Sequence, residues 1–78
     1  MAEKVTLTLS RDESLIFHNW LVNFIARTRG GENFEDQAEQ RVLWDIEVML
    51  EDKLDELLRT EYRELLEAAW ARVRDSTE

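Results

Sequence analysis

Residues Lys4 to Leu9 read K-V-T-L-T-L, and no other stretch of the chain reads as a strand. Val5, Leu7 and Leu9 alternate with Lys4, Thr6 and Thr8, the period of a half-buried β-strand, and Val5, Thr6 and Thr8 are β-branched. A lone strand presents backbone N–H and C=O groups that require partners. The same strand of a second copy supplies them, because an antiparallel ribbon admits a two-fold axis. The alternative is an arm resting on the chain's own helices with its backbone in water. The expectation is a strand over 4–9, paired across a homodimer.

The size of the chain points the same way. Its 78 residues make one domain, 1–78. A chain this short buries only about 60–65% of its unfolded surface. It has no cysteine, so neither a disulfide nor a thiolate metal site can add stability. Self-association is the remaining source of buried area. The first residues, Met1-Ala2-Glu3-Lys4, lack a secretory pattern, and no apolar run reaches membrane-spanning length. A cytoplasmic location is expected. Ten basic against 18 acidic residues give a net charge of −8, which disfavours nucleic acid and anionic membranes as partners. The apolar fraction of 44% is too high for a disordered acidic tail.

After the strand, Ser10-Arg11-Asp12-Glu13 has the pattern of a capping box and predicts a helix over 11–28. Phe17, Trp20, Leu21, Phe24 and Ile25 form its main apolar stripe, widened by Leu15, Ile16 and Val22. Gly30 and Asn33 mark a turn and a helix cap. A second helix follows over 34–57, with Ala38, Val42, Ile46 and Met49 on one line and Leu43, Ile46, Leu50, Leu54 and Leu57 on another. Arg59 and Thr60 interrupt the pattern, Thr60 as a possible cap, before a third helix over 61–74. With no Gly or Pro there, a single kinked rod is the alternative. The fold class is mainly α: one short N-terminal strand and three helices.

Little in the chain suggests catalysis. Ser10, Ser14 and Ser76 sit at a cap, in a first turn and near the end of the chain, and the Gly30-Gly31 pair follows a helix, unlike a phosphate loop. His18, the only histidine, shares a helical line with Leu15, Val22 and Ile25 and reads as a boundary residue with one nitrogen satisfied. Its functional alternative is a pH switch or general base. Glu47, Glu51, Asp52 and Asp55 crowd one stretch of helix 2 and read as a solvated face, with docking of a basic partner as the functional alternative. A cation site there is disfavoured, because one convex face cannot surround a hard ion. No cofactor is expected. Trp20 and Trp70 fit the core stripes, whereas Trp44 with Val48 lies off the stripe as a candidate interface anchor.

Residues 5–15, V-T-L-T-L-S-R-D-E-S-L, and 34–47, F-E-D-Q-A-E-Q-R-V-L-W-D-I-E, resemble small acidic bacterial proteins of uncharacterised function. That resemblance carries no site residues. The sequence therefore points to a non-enzymatic homodimeric interaction or regulatory module, with Val5, Leu7, Leu9, Trp44 and Val48 as candidate interface residues. Two alternatives stand beside it. One is an acidic decoy that mimics nucleic acid and blocks a basic protein. The other is a small metal-binding or hydrolytic protein using His18 with carboxylates.

Overall fold

A computed structural model describes residues 3–28 and 34–76. Three α-helices account for most of them: α1 (Arg11–Arg27), α2 (Gln37–Lys53) and α3 (Tyr62–Arg74), with a 3-10 turn (Asp55–Leu58) between the last two. The mainly helical class is as the periodicity implies. None of the described helices is long and apolar enough to cross a membrane.

The start of α1 follows local chemistry. Ser10 Oγ accepts from the Glu13 N–H at 3.0 Å, and Glu13 Oε1 accepts from the Ser10 N–H at 2.8 Å, so the capping box forms as the sequence implies. At the other end Thr28 is fully buried, and both its N–H and its hydroxyl donate to the Ile25 carbonyl. The turn expected at 29–33 lies outside the described residues.

Other expected boundaries move. Helix 2 begins at Gln37, not 34, because Asp36 is the cap and accepts from the Ala38 N–H at 2.8 Å. Phe34 stays ahead of the helix, edge-on to Phe24 with ring centroids 5.8 Å apart. The helix stops at Lys53, not 57. Leu54 leaves helical geometry at φ −115°, ψ 90° and is seated in the core at 2% exposure. The 3-10 turn then reverses the chain, and α3 begins at Tyr62 after Arg59 and Thr60. The break expected at Arg59–Thr60 is present, but Thr60 does not cap. Glu61 occupies that position without a capping side chain, and the Thr60 hydroxyl donates to the Glu61 carboxylate.

Among the described residues there is no β-strand, and residues 3–9 make no hydrogen bond to another described residue. A ladder needs a second strand, and the described residues contain none. The arm is exposed along its length, Val5 at 87% and Leu7 at 80%.

The core is small. Leu15, Leu54, Leu66 and Ala69 form a buried cluster, with Ile16, Leu50, Leu57, Tyr62 and Trp70 packed against it. Helix α1 therefore buries Leu15, His18 and Leu21, a face rotated from the expected aromatic stripe. Trp20 is half exposed, a correction to its expected core place; Trp70 is half-buried, with the Arg63 guanidinium 5.1 Å from its ring. Three ion pairs fasten the start of α1 to the other elements. Arg11 binds Glu56 at 2.6 and 2.8 Å, Asp55 at 2.8 Å and the Lys53 carbonyl at 3.2 Å, and Arg72 of α3 grips Asp12 with two bonds of 2.7 Å.

A Leu66→Ala substitution should lower unfolding free energy by about 2–5 kcal/mol through lost burial and a residual cavity. Leu58→Ala, at a residue 91% exposed, should stay within about 0.5 kcal/mol of wild type. Urea denaturation followed by circular dichroism separates the two; equal losses would contradict the core described here.

Candidate functional site

Two features stand apart from ordinary surface. The first is built on α2, whose inward line consists of Leu43, Ile46, Leu50 and the following Leu54. None of the residues within α2 itself is fully buried. The helix thus keeps apolar side chains on both flanks of its contact line. Val42 and Met49 lie on one flank, 53% and 59% exposed, and Trp44 and Val48 one turn apart on the other, 46% and 63% exposed. The alternative stripe read from the sequence, Ala38–Val42–Met49, therefore points outward apart from its shared Ile46.

Helix α1 adds apolar walls. Trp20 stacks on Phe24 with centroids 5.0 Å apart and planes 10° from parallel. Its ring divides two grooves. One is lined by Leu9, Glu13, Ile16, Phe17, Trp20 and Val73, the other by Trp20, Phe24, Phe34, Glu39, Val42 and Leu43. The sequence reading missed these grooves because it placed Phe17 and Trp20 in the core. The competing line Leu15–His18–Leu21 was the available signal.

The second feature is polar. His18 Nε2 and carboxylate oxygens of Glu47 and Glu51 lie within 4.8 Å of one another. His18 is 7% exposed, and its Nε2 is 3.1 Å from Glu51 Oε2. An ionised carboxylate only accepts, so Nε2 carries the hydrogen and donates. Nδ1 is buried with no hydrogen-bond partner among the described residues. Glu47 and Glu51 are four residues apart on one helical face, where like charges repel. Burial, followed by the hydrogen bond and charge of Glu51, pushes the Glu47 carboxyl above the usual carboxylate range.

The three groups could offer one nitrogen and two oxygens to a divalent ion. A metal on Nε2 would leave a proton on Nδ1, and metal-bound imidazoles hand that proton to an acceptor. Buried Nδ1 has none among the described residues. Glu47 and Glu51 stand close enough beside His18 that two negative charges there oppose one another.

Three of the four acidic candidates, Glu51, Asp52 and Asp55, are exposed and line one cavity together. Glu47 and Glu51 turn toward His18, Asp52 is exposed, and Asp55 is tied to Arg11 and Arg59 at 2.8 and 3.1 Å. Arg59, Arg11 and Arg72 hold Asp55, Glu56 and Asp12, respectively, below the usual carboxylate range.

These opposite shifts set a pH profile. Depressed carboxyls contribute stability above the ordinary carboxylate pKa, and that contribution is lost as pH falls through their lower folded values. Glu47 acts in reverse: the folded chain holds its proton more tightly. Stability therefore rises as pH falls from its raised value toward the ordinary one, about 4.3. Thermal melts from pH 7.5 to 3 should show a mildly acidic maximum and a steep loss below about pH 4. Glu47→Gln should flatten the rise while keeping the acid loss. Superimposable profiles would contradict the raised Glu47 carboxyl.

Set against known proteins, the chain matches no family model, no curated protein and no solved structure.

Proposed function

We propose that this protein is a non-enzymatic interaction module that works as a homodimer. The observation that carries the reading is its excess of exposed apolar side chains over core. Among the described residues five apolar ones are buried, whereas eleven large ones are exposed, with Val5, Leu7 and Leu58 at 80% or more. Scattered apolar residues are normal on a monomer, but an apolar arm beside apolar grooves is the surface of a protein that associates. An interface of standard size takes about 800 Å² from each partner. That is roughly an eighth of the 6391 Å² surface.

In this reading the 4–9 arms pair as antiparallel strands, and Trp44 and Val48 give a further anchor to the same copy or to another protein. The chemistry supports a binding role over catalysis, since His18 is buried and already engaged. Charge gives less support to an acidic decoy. Arginines neutralise Asp12, Asp55, Glu56 and Glu67, so no unbroken row of negative charge remains on that side.

Sedimentation of the full chain at micromolar concentration should give a dimer; a monomer there would remove the reading. Leu7→Pro deletes a ladder donor and should raise the dimer dissociation constant at least tenfold, about 1.4 kcal/mol. Its helical content should not change, because the arm makes no hydrogen bond to the described helices.

A further inference from the structure

We infer that the groove between the start of α1 and the end of α3 receives Val5 from a second copy, delivered by an antiparallel ribbon whose two-fold axis passes through Leu7. The inference rests on the homodimer reading and adds its register and its receptor.

The groove and its occupant meet at Leu9. That residue is both the end of the arm and a wall of the groove, beside Ile16, Phe17, Trp20 and Val73. It is 42% exposed, and the rest of the arm's apolar face, Val5 and Leu7, is almost bare. When the arm is extended, Val5 lies four residues from Leu9, about 13 Å away. A chain therefore does not fill its own groove with its own Val5. An antiparallel copy does.

Register follows from the residues. A two-fold axis at Leu7 sets Val5 opposite the partner's Leu9, Leu7 opposite the partner's Leu7, and Leu9 opposite the partner's Val5. Moving the axis one residue either way sets Leu9 opposite the partner's Glu3, or Val5 opposite the partner's Arg11. The Leu7 axis is the register in which every apolar residue of the arm meets another. It also pairs Thr6 with the partner's Thr8 on the watered face, a favourable cross-strand combination. Cβ atoms of opposed residues stand about 4.5–5.5 Å apart. The partner's Val5 is thereby brought beside Leu9, into the groove. Glu13, the one charged residue lining it, already spends a carboxylate oxygen on the Ser10 N–H, so covering it leaves that bond intact.

The natural chain has no cysteine, so single-cysteine variants read the register directly. Under mild oxidation Leu7→Cys should form a covalent dimer. Val5→Cys alone should form at least tenfold less, because its two copies are about 13 Å apart and a disulfide needs Cα atoms within about 7 Å. Mixing Val5→Cys with Leu9→Cys should restore the cross-link. Val73→Glu, on a half-exposed groove wall, should weaken the dimer at least tenfold and leave helical content unchanged. A chain that sediments as a dimer yet fails to cross-link through Leu7→Cys overturns the register. One that cross-links equally through Val5→Cys does the same. A Val73→Glu variant that dimerises like wild type overturns the receptor. A monomeric wild type overturns the homodimer reading itself.

Discussion

The arrangement of the three helices depends on Leu54. Its side chain sits in the core, and to place it there the backbone leaves the helix at the end of α2. Breaking a helix frees its last carbonyls, which must find donors. Arg11 of α1 takes the Lys53 carbonyl and clamps Asp55 and Glu56 with the same guanidinium. A cation at this end also suits the helix dipole. The next residue, Asp12, holds Arg72 in the last turn of α3. Two consecutive residues of α1 thus secure the end of α2 and the end of α3, and the polypeptide between them reverses direction.

This junction explains why the interior is small. The buried cluster contains residues from α1, from α3 and from the break itself, but none from within α2. Helix α2 meets α1 along the Leu43–Ile46–Leu50 line, and Val42, Met49, Trp44 and Val48 beside it are exposed among the described residues. The shortfall in burial and the surplus of apolar surface among the described residues have one origin.

What the sequence made legible was local. The capping box needs only four consecutive residues, and the helical periods need only spacing, so the start of α1 and the mainly helical class followed from them. The rest required partners distant in sequence. Nothing near Leu54 breaks a helix by itself; the break is stabilised by Leu15, Leu66 and an arginine more than forty residues away. Helix α1 is apolar over most of its circumference, so the pattern did not choose between the Leu15–Leu21 face and the aromatic one. The sequence set His18 beside carboxylates only as an alternative and did not single out Glu47 and Glu51 as its partners, although Glu47 lies between Leu43 and Leu50 on the edge of the inward line of α2. The exposed interface candidates Val5, Leu7, Trp44 and Val48 were legible because each departs from its local stripe or lacks a local partner.

That edge position gives the polar cluster its structural meaning. Leu43, Ile46 and Leu50 are half-buried, and apolar contacts of this kind are nearly indifferent to a small slide along the helix. A hydrogen bond is not, because it weakens steeply with distance and angle. The 3.1 Å contact from His18 to Glu51 therefore fixes how far α2 lies along α1. Leaving Nδ1 unpaired costs about 1–3 kcal/mol. Raising the Glu47 carboxyl above its usual range adds a further cost at neutral pH. A fold with so small an interior retains that expense for position. The register it sets carries Val42 and Leu43 into the second groove beside Trp20, Phe24 and Phe34. The buried polar contact thereby shapes the apolar surface that a second molecule would meet.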